Sequence, residues 1–211
     1  MARIINGING GFTGKVGTVT GYIRNGRNFM RSRRRRKDNV RSEKRLVQQK
    51  KIKVCNEFTK PFSGSGFFNK SFPASRATST GYNRATSAIM NRAIIKEPEV
   101  SLVCPLILIS MGMLPGAVYA SALANDDGDV VFSWVDNTGT GTAKKEGKAL
   151  MVAYFPETKT AMYEISASTR KDCKAVLPMK SMKGIAETWI GFVSADETIA
   201  ADRVYTGSVS L

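Results

Sequence analysis

The sequence predicts an α+β protein, mainly β, in which an N-terminal β-hairpin and a two-helix arm precede an antiparallel β-sandwich. Three observations carry that reading. The dipeptide Asn25-Gly26 sits between two stretches of strand-forming residues, and a type I′ turn needs two residues that accept positive φ. Residues 38–58 and 80–95 place apolar side chains at helical spacing. From about residue 100 onward, short alternating runs are separated by turn clusters at the spacing of a sandwich. The expected division is therefore a basic arm over residues 1–99 and a sandwich over residues 100–211.

Charge is divided along the same line. Residues 1–100 carry 22 Lys+Arg against 5 Asp+Glu, whereas residues 101–211 carry 10 against 12. Excess positive charge of that size calls for a polyanion or an acidic protein surface as counterpart.

The hairpin's two-residue loop fixes its register: Arg24 faces Arg27, Tyr22 faces Phe29, Thr20 faces Arg31 and Thr18 faces Arg33. One face then carries Arg24, Arg27, Arg31 and Arg33 with Tyr22 and Phe29; the other carries Val19, Ile23 and Met30. A two-stranded ribbon is marginal alone, so its apolar face must lie on something. The glycines at 7, 10, 11, 14, 17 and 21 point to tight turns and close backbone approach.

The basic run Arg33, Arg34, Arg35, Arg36 and Lys37 joins hairpin to helix. The first helix opens at Asp38 or Ser42 and runs to about Phe58. Val40, Val47, Val54 and Phe58 form one narrow stripe, expected to dock on a partner without forming a core. Arg41, Lys44, Arg45, Lys50 and Lys53 cover much of the remaining circumference, and Lys51 intrudes on the stripe. Phe62, Phe67, Phe68 and Phe72 follow among breakers and are read as plugging the seam between the halves, with base stacking as the other use. A second helix, Thr80 to Ile95, presents Tyr82, Ala85, Ile89, Ala93 and Ile94 on one side. LVCPLILISMGMLPGAV (102–118), broken by Pro105 and Pro115, reads as a buried strand pair or a strand plus turn. Strands are then expected at 130–135, 149–155, 160–165, 174–177, 188–193 and 203–209, with Val130, Phe132 and Trp134 on one face, as are Leu150, Val152 and Tyr154. Trp134 and Trp189 are the natural core anchors.

Several chemistries are excluded. The chain has no histidine and no C-x-x-C pair, so no metal site is expected. Cys55, Cys104 and Cys173 are widely spaced and read as reduced, packed thiols. A P-loop fails, because Asn9 stands where its first glycine belongs and Val16 follows Lys15. NDDGD (125–129) is turn chemistry without the spacing of a calcium loop. No cofactor and no small-molecule substrate is expected, and the protein is read as non-enzymatic. MARIINGINGGF lacks the apolar core of a signal peptide, which with no membrane span implies a cytoplasmic chain unless a virion or other export route carries it out.

The stretches GINGGFTGKVGTVTGY, Met30-Arg31-Ser32, the helix around Gln48-Gln49, LISMGMLPGA and FSWVDNTGTGTAKKEGKALMVAYFP together resemble an uncharacterised family of Bacteroidota proteins, known only as a domain of unknown function. The resemblance covers nearly the whole chain and carries over no catalytic residue. It departs at Arg33 to Lys37, unbroken charge where the family usually shows proline and mixed residues. The second half, with Trp134 early and Trp189 late, is similar to an Ig/fibronectin type III sandwich, and a Gln-rich basic helix behind a hairpin is similar to what phage-derived structural proteins carry.

The leading expectation is a structural protein that assembles as an oligomer or filament, its arm docking on a neighbouring copy through Val19, Ile23, Met30, Val40, Val47, Val54 and Phe58. The alternative is DNA or RNA binding without sequence specificity. Arg24, Arg27, Arg31, Arg33 to Arg36, Lys37, Arg41, Lys44 and Arg45 would then grip phosphates, with Tyr22 and Phe29 stacking on bases.

Overall fold

The computed structural model describes residues 3–4, 10–24, 26–33, 42–73, 79–96 and 99–211. Asn25, Arg34, Arg35, Arg36, Lys37, Val40 and Arg41 lie outside them. The fold is α+β and mainly β, with antiparallel sheets in a sandwich-like arrangement. Contacts divide the chain into two compact units, Met1–Ser42 and Glu43–Leu211. The boundary thus falls well before residue 100, and both helices belong with the sandwich.

The first unit is a sheet of four strands in sequential order: β1 (Arg3–Ile4), β2 (Phe12–Val16), β3 (Val19–Arg24) and β4 (Arg27–Ser32). The pairing of β3 with β4 has the expected register, Tyr22 opposite Phe29 and Arg24 opposite Arg27. The expected two-stranded ribbon is corrected, however. Gly17, at φ +53°, turns the chain a second time, so Val16 pairs Val19 and a further strand lies beside β3. Gly21 lets that strand approach, because a Cβ there would sit 2.3 Å from the Phe12 carbonyl oxygen.

The second unit is built around a sheet ordered β10 (Thr160–Thr169), β9 (Lys148–Phe155), β12 (Ile185–Val193), β13 (Val204–Ser210). A three-stranded sheet, β11 (Lys174–Leu177), β8 (Val130–Val135), β7 (Val118–Ala124), covers one of its faces. Phe132, Trp134 and Leu177 meet Met151, Phe155, Ile190 and Phe192 in the core between the two sheets. The strand β7, in VYASALA, is the one sandwich strand that the alternation of the sequence does not announce.

Helices cover the other face. Three of them, α1 (Glu43–Thr59), α2 (Phe67–Ser71) and α3 (Gly81–Arg92), form a second core with Leu150, Val152, Tyr154 and Trp189. Thr80 caps α3, its hydroxyl accepting from the Asn83 amide. Phe58 is fully buried, with its ring 4.8 Å from that of Tyr154 and 6.2 Å from that of Trp189. Phe62 and Phe67 pack on Tyr163, and Phe68 packs on Phe72 and Tyr82. The four phenylalanines therefore seal helices to sheet. The docking role expected of Phe58 is corrected for the same reason: the end of α1 is core, and nothing of Phe58 is left for a neighbour.

The stretch 102–118 also departs from expectation. Only Ser101–Leu102 (β6) is strand before Val118, paired with Ile94–Ile95 (β5), and a 3-10 turn follows at Cys104–Leu106. Ile107, Leu108, Ile109 and Ser110 are buried without a ladder. Arg203 replaces the ladder: its Nε donates to the Ile107 carbonyl at 2.7 Å and its Nη2 to the Pro105 carbonyl at 2.7 Å. Asp202 accepts from the Gly112 amide at 3.1 Å. These two side chains take the place of ladder partners for the backbone of the stretch.

Two polar constellations tie the layers. Arg170 is buried beneath the loops of the second sheet, donating to Asn137 Oδ1 and the Pro115 carbonyl, with its guanidinium 3.9 Å from the Phe192 ring centroid. The Trp134 indole donates to the Arg170 carbonyl at 2.7 Å. Glu197 accepts from Lys148 of β9 at 2.8 Å and lies 2.7 Å from Lys70 of α2. Both lysines, Lys148 first, hold the Glu197 carboxyl below its ordinary range.

Two outcomes are expected. Phe58→Ala leaves a cavity under α1 and lowers stability by about 3–5 kcal/mol in urea unfolding; an unchanged midpoint would mean that α1 is not part of the core. Glu197→Gln lowers stability at neutral pH by about 1 kcal/mol. Because the folded pKa of Glu197 is depressed, that difference is complete above the ordinary glutamate range and disappears as pH falls through the folded value. Thermal melts of both proteins across that range measure it.

Candidate polyanion interface

Side chains alternate across a strand, and residues opposite each other in a ladder share a face. In the first unit that rule gathers one set. Arg24 and Arg27 lie at the turn end, then Tyr22 and Phe29, then Thr20 and Arg31. The Arg33 amide donates to the Thr18 carbonyl at 2.6 Å, which extends the same parity to Arg33. Across β3, Lys15 pairs Thr20, so the row reads Lys15, Thr20, Arg31. Two residues back on β2, Thr13 pairs Arg3.

The face is thus three strands wide and carries Lys15, Arg24, Arg27, Arg31 and Arg33; Arg3 is not part of it, because Gly14, at φ +113°, breaks the alternation of β2 before Thr13. Lys15 is invisible to a reading that stops at one hairpin. The signal for it was Lys15-Val16 followed by Gly17-Thr18 as a second turn.

At its centre the Tyr22 and Phe29 rings are stacked, with centroids 5.6 Å apart and planes inclined by 19°. The Arg31 guanidinium stands 5.6 Å from the Tyr22 centroid. Both rings remain open to solvent, at 38% and 41% exposure. Among the described residues no carboxylate lies within ion-pair distance of these basic groups.

The opposite face is apolar. Phe12 lies over Gly21, and Asn28 packs on Gly11. Val19 is half-buried, whereas Ile23 and Met30 are 45% and 72% exposed. Of the other expected docking residues, Val47 and Val54 are half-buried on α1, where they line an open groove of about 590 Å³ with Lys50, Lys53 and Val100. Lys44 and Arg45 are exposed on the same helix, in the second unit.

The remaining reactive groups are held quiet. All three cysteines are free, and burial pushes the Cys55 and Cys104 thiols up to about 11. NDDGD forms a turn in which Asn125 Oδ1 accepts from the Asp129 amide and Asp129 Oδ1 from the Met179 amide. Among the described residues no cluster of acids and cysteines has the arrangement of a metal site, and no helix is long and apolar enough to cross a membrane.

Fold and face together define a two-unit protein: a sandwich roofed by helices, and a small sheet with one cationic, aromatic face. The chain belongs to the family of unknown function DUF6266, whose model matches residues 11–207. No curated protein and no solved structure matches it.

Because a side chain at residue 21 collides with the Phe12 backbone, Gly21→Val is expected to part β2 from β3 and to remove Lys15 from the face. Amide exchange should then lose protection at Phe12–Val16 while β9 keeps its own. Unaltered protection on β2 would refute the four-stranded arrangement.

Proposed function

We propose that the protein is a non-enzymatic nucleic-acid-binding protein whose site is the cationic, aromatic face of its N-terminal sheet. The observation that carries this is the exposed Tyr22–Phe29 stack framed by Arg24, Arg27 and Arg31. Arginines with no nearby carboxylate attract phosphate, and open rings offer a surface that every base can use. Charge supports the same choice. Residues 1–42 carry 11 Lys+Arg against one Asp, and residues 43–211 carry 21 against 16. Both parts of a second copy are therefore positive, and neither is an electrostatic complement for the sheet. The sandwich serves as the rigid body. Its division into three and four strands, with Trp134 on the second strand of the smaller sheet, supports a fibronectin type III-like assignment.

Assembly is the second reading, favoured by the exposure of Ile23 and Met30 and by the outer edge of β4, which has no neighbouring strand among the described residues. It uses the other face of the same sheet, so an oligomer formed there leaves the arginines free.

Fluorescence anisotropy with labelled DNA and RNA tests the proposal. Affinity should fall with salt, with a log–log slope of about −0.7 to −0.9 for each phosphate neutralised. Replacing Arg24, Arg27 and Arg31 by serine should make that slope shallower by about two to three phosphates' worth. Absence of binding at low salt, or a slope indifferent to these changes, would overturn it. Sedimentation at several concentrations tests assembly, with Met30→Ser as the variant that should dissociate it.

A further inference from the structure

Resting on the nucleic-acid reading, we infer that the ligand is single-stranded, that it is held without regard to sequence, and that Phe29 is the ring on which a base stacks. The geometry separates this from duplex recognition. Along β4, Arg27, Phe29 and Arg31 occupy successive positions on one face, about 7 Å apart. Phosphate grip, stacking surface and phosphate grip therefore alternate along one line, as a strand with unstacked bases requires. A duplex keeps the faces of its bases covered, so an open ring gains nothing from it except at an end.

A two-stranded ribbon reads a major groove with side chains that donate and accept at base edges, above all amides and paired arginines. The centre of this face offers rings and threonines instead. Asn28, the one amide on the described part of β4, points to the opposite face and packs on Gly11. Among the described residues of this face, no amide stands beside the phosphate contacts to read sequence.

The two rings are not equivalent. The Arg31 guanidinium already stands over Tyr22, whereas no guanidinium stands over Phe29 among the described residues. A base therefore stacks first on Phe29, and a phosphate that draws Arg31 aside opens Tyr22 for the next.

The test compares short labelled single strands of DNA, as homopolymers of thymine and of adenine, with a duplex of equal length, using the full-length protein. The wild type should prefer either single strand to the duplex. Phe29→Ala should weaken single-strand binding roughly five- to a hundred-fold while leaving duplex affinity and the salt slope unchanged. Phe29→Leu keeps the apolar volume and should lose as much, whereas Phe29→Trp should retain binding; circular dichroism confirms that each variant is folded. Tyr22→Ala should cost less than Phe29→Ala. Equal affinity for single and double strands, with neutral Phe29 variants, would overturn this inference and leave the polyanion reading standing. No binding to any of the three at low salt would overturn the reading itself.

Discussion

A strand with no polar face decides the architecture of the larger unit. Every residue of β9 from Ala149 to Phe155 is buried, alternating between the core beneath the helices and the core between the sheets. Such a strand needs cover on both sides, because either face left in water forfeits its hydrophobic contribution. The second sheet supplies one cover. The helices α1 to α3 and the four phenylalanines supply the other, which is why residues 43–99 cannot be an arm despite their charge. On α1 most of the lysines and arginines are exposed, while Cys55 and Thr59 turn to α3 and Phe58 to the sheet. Charge marks the surface of a segment and says little about what its other side covers.

The smaller unit obeys different physics. Four short strands bury little, and only Gly21 is fully enclosed among the described residues of its ladders. Arg24 stands directly opposite Arg27, and like charges in that position are destabilising. A sheet so poor in burial, with cations facing each other across its ladder, gains from any anion that binds the folded form. Under the proposed function the site and the stability of the sheet are therefore one quantity: phosphate between these arginines relieves the repulsion that folding creates.

The sequence made the β3–β4 register legible to the residue, because a two-residue turn with Gly26 leaves no freedom in the pairing. It also showed the six later strands of the sandwich and the buried faces of α3 and β8, where alternation or helical spacing is strong. The second turn at Gly17-Thr18 lacks an Asn-Gly pair and so carries no strong hairpin signal, and Lys15 is lost to the site with it. The run from Ala149 to Phe155 has the Tyr154 hydroxyl as its single polar side-chain group, which is the mark of a strand buried twice, yet alternation by itself points to one buried face. Residues 102–118 defeated pattern reading for another reason. Their burial is secured by Arg203 and Asp202, about a hundred residues later in the chain, and no local period encodes a partner that distant. Arg170 was hidden in the same way, since a cation anchored by carbonyls, one amide and a phenylalanine has no sequence signature.

The position of the basic run now has a physical consequence. It leaves the sheet at Arg33, whose amide is still part of the ladder, and reaches α1 just after Ser42. Its start is therefore fixed next to the row that contains Arg31. Under the proposed function, a strand of nucleic acid lying along β4 would meet Arg27, Arg31 and Arg33 in turn, with Arg34 to Lys37 next in the sequence. The pleated arginines of such a site give direction and frame a stacking surface; the run adds charge, whose effect decays over about 8–10 Å in physiological salt. Phosphate contacts would then supply affinity and the open ring selectivity for unpaired bases. That separation follows from chemistry: a phosphate is met equally well by any guanidinium, whereas a base face is met only by a ring held open.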